Sequence, residues 1–253
     1  MTSFRPCVLV PTYDNPRTIG SVVERVRAYC QSVVVVDDGS GPEGREACDA
    51  LERAGVAHVV HRARNGGKGA AVKTGFAAAS ELGYTHALQV DADGQHALDD
   101  VPRFLQIAEE NPDALILGAP VFDQSAPKAR QVGRKITIFW VDFETGGRVI
   151  ADPMCGFRVY PLAPVRALDV PSNRMDFDPE VAVRLAWRGV PVINVPTRVR
   201  YVPRDEGGVS HFRLLEDNLR ISWMHTRLCI RKIFGSLIGG RYRGTVRQLG
   251  AGA

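Results

Sequence analysis

The chain has 253 residues, 45% of them hydrophobic and 24% charged, and 32 Lys/Arg against 28 Asp/Glu give a formal net charge of +4. This ordinary globular balance excludes a disordered or fibrous chain, and at about 150 residues per domain it suits one large domain or a domain with an extension. No apolar run nears the roughly 18 residues of a membrane span, and the first residues lack the apolar segment of a signal peptide, so a cytoplasmic protein is expected.

Strand and helix patterns alternate from the start. Cys7–Val10 reads as a strand, and Ile19, Val22, Val23 and Val26 then recur at helical spacing. Val33–Val36 is an unbroken β-branched run, the pattern of a strand buried on both faces. Glu43–Ala54 reads as helix, Val56–His61 as strand and Lys68–Leu82 as an Ala-rich helix. Ala87–Val90 reads as strand, Leu98–Glu110 as helix and Ala114–Leu117 as strand. This rhythm predicts an α/β fold, a Rossmann-like and mostly parallel sheet with helices on both faces. Ala119-Pro120 opens a loop to Lys128, and a helix follows over Ala129–Glu144, stopped by Gly146-Gly147. After Asp152–Tyr160 come a helix at Asp178–Trp187 and strands at Val192–Val195 and Arg198–Val202. A Gly207-Gly208 loop then leads into a long helix over Phe212–Phe234.

From Leu219 to the end there are seven Lys/Arg and no Asp or Glu. This basic stretch, mixed with Leu228, Ile230, Ile233 and Phe234, is either a solvated helix face or an amphipathic helix for an anionic membrane surface. No aromatic RNA-binding motif accompanies it, and no nucleic-acid partner is expected. The five cysteines (Cys7, Cys30, Cys48, Cys155, Cys229) are widely spaced without a CxxC, which argues against a disulfide framework or a zinc knuckle.

Ligands of such sheets bind beyond the carboxyl ends of the strands, and polar residues gather there: Thr12 and Asp14, Asp37 and Asp38, Asp91 and Asp93. The strongest signal is Val90-Asp91-Ala92-Asp93-Gly94-Gln95-His96. Residues two apart on an extended chain point one way, so both carboxylates can share a target. Such hard oxygen ligands suit Mg²⁺ or Mn²⁺ completed by substrate phosphates, with Gln95 or His96 as a further ligand. The alternative is a solvated acidic turn. Val36-Asp37-Asp38-Gly39-Ser40 offers carboxylates for a base or ribose, or a helix cap. Arg64-Asn65-Gly66-Gly67-Lys68-Gly69 opens a helix, where amides and Lys68 can meet an anion or simply make the turn. It is neither a P-loop nor a dinucleotide fingerprint. In Asp176-Phe177-Asp178-Pro179-Glu180, Asp178 or Glu180 can act as a general base, or the acids can cap and begin the helix.

These motifs, in this order behind Pro11-Thr12-Tyr13-Asp14-Asn15, resemble the family 2 glycosyltransferases of GT-A fold, in the dolichol-phosphate mannosyltransferase-like branch. Asp152-Pro153-Met154-Cys155-Gly156-Phe157-Arg158 is similar to that branch's Gly-Phe-Arg segment. The resemblance covers residues 6–212, leaving 213–253 as a basic helical extension packed on or next to a GT-A domain. It implies that Pro11, Thr12, Tyr13, Asp14, Asp37 and Asp38 hold the nucleotide, with Lys68, Asp91, Arg130, Arg134, Arg204 and Ser210 completing the nucleotide-sugar site. It implies a metal on Asp91, Asp93 and Gln95, with His211 as a further candidate ligand, and Asp93, Asp178 and Glu180 as catalytic candidates. The sequence departs from the branch at four points, one being that no membrane anchor is expected after the domain, so that a lipid acceptor would be met at the surface. Gly118-Ala119-Pro120 stands where Gly-Ser-Arg is usual, the Arg204–Ser210 loop is one residue longer, and His211 replaces a lysine.

The implied reaction is inverting displacement from a GDP- or UDP-linked sugar onto a lipid phosphate, on a protein held peripherally at the inner face of the cell membrane. A hydroxyl of a glycan or another lipid is the alternative acceptor. A nucleotidyltransferase is disfavoured by Pro11-Thr12-Tyr13, where a Gly-rich loop would be needed. A non-catalytic binding module is disfavoured by the intact acidic motifs.

Overall fold

The computed structural model describes residues 3–121, 128–198 and 213–249, with the side chains of 128–132 outside that description. A seven-stranded sheet forms its centre, in the order β3-β2-β1-β4-β6-β5-β7. The strands are β1 (Pro6–Thr12), β2 (Val33–Asp37), β3 (His58–His61), β4 (His86–Gln89), β5 (Leu115–Val121), β6 (Arg158–Pro161) and β7 (Val192–Arg198). Every pairing is parallel except those of β6, which runs antiparallel between β4 and β5.

Both faces are covered, so the inner strands read as continuous apolar runs. Alternate residues serve opposite faces: Val8, Val10, Val33 and Val35 pack in one core, and Cys7, Leu9, Val34 and Val36 in the other. The first core receives α1 (Ile19–Arg27), α2 (Pro42–Arg53) and α4 (Val101–Glu110) through Val22, Val26, Cys48, Phe104 and Ile107. The second receives α3 (Lys68–Glu81), α5 (Lys128–Thr145), α6 (Leu162–Arg166), α7 (Phe177–Trp187) and α8 (Leu214–Leu237). No described helix is long and apolar enough to cross a membrane. All five cysteines are free, and burial pushes the Cys155 thiol up to about 12, the mark of a packing residue.

Three details differ from expectation. β5 runs on through Ala119 and Pro120 to Val121, where a loop was expected. Past Leu117 only β7 pairs with it, so a proline without an N–H meets an open edge. The short helix α6 was not expected. The second late strand, Arg198–Val202, falls almost wholly outside the described residues.

The basic C-terminus does not stand apart. Ile221, Met224 and Leu228 of α8 join the core of α3 and α7. Beyond α8 the chain turns back to β7: the Arg247 amide donates to Val192 O at 2.9 Å, and Val192 N donates to Thr245 O at 2.9 Å. Arg247 also forks onto Asp113 at 2.7 and 2.8 Å, and Tyr242 meets Trp187 edge-on at 4.8 Å. These residues shield the β7 edge.

Candidate active site

The carboxyl ends of β1 and β4 open on a cavity of about 800 Å³, within the range of small-molecule sites. Pro11, Thr12 and Tyr13 line one side, and Asp91, Asp93, Gln95 and Lys68 the floor. Arg134 of α5, Arg174, Asp178 of α7, and Arg213 and Asp217 at the start of α8 close the rest.

Lys68, the first residue of α3, organises the floor. Its Nζ lies 2.7 Å from Asp91 Oδ1 and 2.9 Å from Asp178 Oδ2. Burial pulls this ammonium's pKa down, but Asp178 and Asp91 together outweigh it, and the lysine stays firmly protonated. Burial likewise pushes Asp91 up, and Lys68 followed by His96 hold it well below the usual carboxylate range. The sequence leaves Lys68 to an external anion or to a plain helix entry; the structure pairs it with two carboxylates of the chain itself.

Asp93 has the opposite balance. Burial, then the charge of Asp91, push its carboxyl above the ordinary range. Its Oδ1 accepts the Gln95 amide, at 3.0 Å. Two carboxylates and an amide side chain at one strand end, with a crowded negative charge, form the donor set of a hard divalent ion completed by ligand oxygens. The residues fit such an ion. Among the described residues no cluster of three or more His, Cys, Asp or Glu makes a closed metal site.

Gly156 approaches this floor closely. A Cβ there would fall 2.4 Å from Asp91 Oδ2 and 2.7 Å from Lys68 Nζ. Gly156→Ala is expected to force that ion pair aside and cost about 1–3 kcal/mol, as overpacking does, read by urea unfolding. An unchanged midpoint would show that the floor can yield.

Arg158 fixes the wall, and sequence reasoning gave it no role. Its side chain is wholly buried in β6. Nε donates to Cys155 O at 2.5 Å, Nη2 to Pro153 O at 2.5 Å, and Nη1 to the Asp178 carbonyl at 2.6 Å and Tyr160 Oη at 3.3 Å. It ties the turn before β6 to the first turn of α7. The Asp152 carboxylate caps the same turn, accepting Met154 N and Cys155 N at 2.8 and 3.0 Å, while its Oδ2 holds Arg134 Nε at 2.5 Å.

Several expected site residues are engaged by the chain's own groups. Asp38 accepts the amides of Gly66 and Gly67, the latter at 2.7 Å, and pairs with Arg62. The anion cradled by the Gly-rich turn is therefore the chain's own Asp38, although its residue still borders the cavity. Gly67 makes this possible with φ of +96°. Asp37 is buried and divided between Ser40 N at 2.9 Å and His61 Nδ1 at 2.8 Å. Asp14 accepts Gly41 N at 2.8 Å and joins the first two strand-end loops.

Glu180, one of the two candidate bases, is taken up by contacts within the chain. It is fully buried, its Oε1 held by Arg184 at 2.6–2.7 Å and its Oε2 by Ser172 and by Arg227 at 2.8 Å. It fastens α7 to α8. Asp176 stands at the N-cap of α7 without a side-chain cap bond. Asp178, 4% exposed, keeps its place on the cavity with Gln89 Nε2 donating to Oδ1 at 3.5 Å. The Arg130 side chain, Arg204, Ser210 and His211 lie outside the described residues.

The chain matches the family described as Glycosyl transferase family 2 over residues 7–166. It is 31% identical to the polyprenol monophosphomannose synthase of Mycolicibacterium smegmatis, across 80% of this chain and 79% of that protein. It is 30% identical to the undecaprenyl-phosphate mannosyltransferase of Micrococcus luteus, across 80% of this chain and 86% of that protein. Among solved structures, glucosyl-3-phosphoglycerate synthase from Mycobacterium tuberculosis, with Mn²⁺, UDP-glucose and phosphoglyceric acid, superposes with a TM-score of 0.67. That match has 17% identity and covers 89% of this chain and 80% of the other.

Proposed function

The chain belongs to glycosyl transferase family 2 and is a glycosyltransferase, and from that premise we propose that it moves a sugar from a nucleoside-diphosphate donor to a polyprenyl-phosphate acceptor. The observation that carries the reading is the cavity at the ends of β1 and β4, with the Asp91–Asp93 pair on its floor. The acceptor class is supported by relatives whose names specify polyprenol and undecaprenyl phosphate. Metal use is supported by the donor set and by the manganese ion of the structural neighbour.

In the proposed reaction an acceptor oxygen attacks the anomeric carbon in line with the departing diphosphate. One C–O bond forms, the other breaks with its electron pair going to the diphosphate, and configuration inverts. Asp91, Asp93 and Gln95 would hold a divalent ion, which when bound supplies Lewis-acid stabilisation to the leaving phosphates. Arg134, steadied by Asp152, offers a fixed cation for the same negative charge. Pro11, Thr12 and Tyr13 hold the base and ribose. Asp38 and Asp37 act one step back, by shaping the loops around that end.

The Asp178 carboxylate pairs with the Lys68 ammonium at 2.9 Å. A phosphate acceptor is already mostly ionised near neutral pH, its second pKa being about 6, so no proton must be removed and Asp178 orients hydroxyls. With a hydroxyl acceptor, the second reading, the same carboxylate is the base.

The test is thermal unfolding with UDP, GDP and their sugars, with and without Mn²⁺, followed by transfer to a polyprenyl phosphate. A ligand at about 100 times its Kd adds roughly 2.7 kcal/mol, a rise of about 5–11 °C at roughly 2–4 °C per kcal/mol for this size. A metal-dependent rise with one nucleotide is expected, and it names the base. No rise with any of them would overturn the donor site.

A further inference from the structure

Thr18 stands at the N-cap of α1 but makes no side-chain cap bond. A threonine there ordinarily accepts an amide of the first turn through its side-chain oxygen. Here the hydroxyl donates to the carbonyl of Ala92, 74 positions along the chain, at 2.6 Å. Ala92 is the residue between Asp91 and Asp93. A helix outside the cavity lining is thus fastened to the middle of the acidic floor. The contact is the first of a row. One turn on, Val22 borders Gly94, where a Cβ would lie 3.9 Å from Val22 Cγ2. Farther along, Arg25 Nη2 stands 3.7 Å from Asp99 Oδ1, and the Tyr29 hydroxyl, just past the helix, donates to the same oxygen at 3.0 Å. Thr18, Val22, Arg25 and Tyr29 recur at one-turn spacing and share a face. That face follows the chain from Ala92 to Asp99, from the acidic turn into the 3₁₀ turn Leu98–Asp100.

The near end of the row matters most, because little else holds the backbone there. The chain leaves the sheet at Val90, whose amide donates to Leu9 O at 3.0 Å. Over Asp91–Gly94 the Thr18 hydroxyl is, among the described residues, the one group outside the turn that bonds the backbone. Lys68 and His96 hold Asp91 by its side chain. Two carboxylates with one target repel each other when no cation lies between them. The peptide that joins them can turn to relieve that repulsion unless it is held. The bond on Ala92 O fixes that planar unit from one side. The Ala92 methyl, 3% exposed and in the same core as Val22, fixes it from the other.

We infer that α1 is a splint for the acidic floor, and that Thr18 is the positioning residue that presets Asp91 and Asp93 for a divalent ion. Ligands already held in place bind without the cost of being gathered. The inference rests on the metal role proposed for the floor; the contacts of α1 do not.

The test reads metal binding, not transfer. Mn²⁺ is titrated against the full chain by electron paramagnetic resonance, alone and with saturating UDP or GDP. Thr18→Val keeps the shape of the side chain and removes the hydroxyl. It should weaken Mn²⁺ binding about threefold to tenfold, the span of one hydrogen bond, with unchanged circular dichroism and a fall in Tm of at most about 6 °C. Thr18→Ser keeps the donor and should restore the parent value. Ser80→Ala removes a hydroxyl that donates to Phe76 O at the far end of α3, and should leave Mn²⁺ binding unchanged. If Thr18→Val does not fold, Arg25→Ala with Tyr29→Phe releases the exposed end of the row and should weaken Mn²⁺ about twofold. An affinity equal to the parent's in the variant that folds would overturn the inference and leave the floor its metal. Equal weakening by Ser80→Ala would also overturn it, since the effect would then follow stability alone. A parent that takes up no Mn²⁺ in any of these mixtures would overturn the metal role of the floor, and the splint with it.

Discussion

Asp93→Asn is expected to cut transfer about a thousandfold while leaving the protein folded. Metal-borne stabilisation of a leaving diphosphate is worth several kcal/mol, and each ~1.4 kcal/mol is a factor of ten in rate. Asparagine keeps the shape and one oxygen but loses the charge. The substitution should also raise the Tm of the metal-free protein. Burial and Asp91 push the Asp93 pKa up, so the folded state holds this proton more tightly than the unfolded one. Stability therefore falls as pH rises from the ordinary carboxylate value through the raised one, and at neutral pH the ionised group is a cost. Asparagine removes that cost. Lost transfer with a steady or higher Tm would mark Asp93 as a functional residue; a large fall in Tm would make it a structural one.

Lys68→Met is expected to do the reverse, damaging stability and activity together. The ammonium compensates Asp91 and Asp178 at once. Removing it leaves two carboxylates facing each other, the case that costs about 3–5 kcal/mol when buried. Asp91 keeps a quarter of its side chain exposed, so the low end applies, near ~3 kcal/mol. At roughly 2–4 °C per kcal/mol the Tm should fall by about 6–12 °C. Lys68→Arg should not restore the parent, because Gly156 leaves no room for a larger head beside Asp91. The opposite result, an unchanged Tm with weaker donor binding, would return Lys68 to the external anion that its sequence context suggests.

Periodicity made the β1–β5 half legible, because a strand buried on both faces leaves an apolar run such as Val33–Val36. The acidic floor was legible for a related reason: Asp91 and Asp93 follow a buried strand directly. What distance hides was not legible. Nothing near Lys68 points to Asp178, 110 positions away, nor does anything near Asp38 point to Gly66 and Gly67. Four residues of β6 read alike in either direction, so its antiparallel insertion left no trace. The roles of Asp178 and Glu180 did leave a signal. Residues two apart on a helix face different ways, so only one of them can look into the cavity, and α7 is buried nearly all round.

The late, reversed strand at the centre of the sheet also sets a timetable. A ribosome delivers β4 well before β6, and the interval from Gln89 to Arg158 takes about 3–14 s at roughly 5–20 residues per second. Through that interval one edge of β4 has no partner, since β5 arrives first but does not pair with it. Unpaired edges are where nascent chains associate wrongly. The segment that ends the wait also carries Gly156 and Arg158, the residues that shape the floor and anchor α7. One segment thus fills the gap beside β4 and supplies the glycine that fits the Asp91–Lys68 pair, before α7, β7 and α8 arrive to finish the sheet and the site.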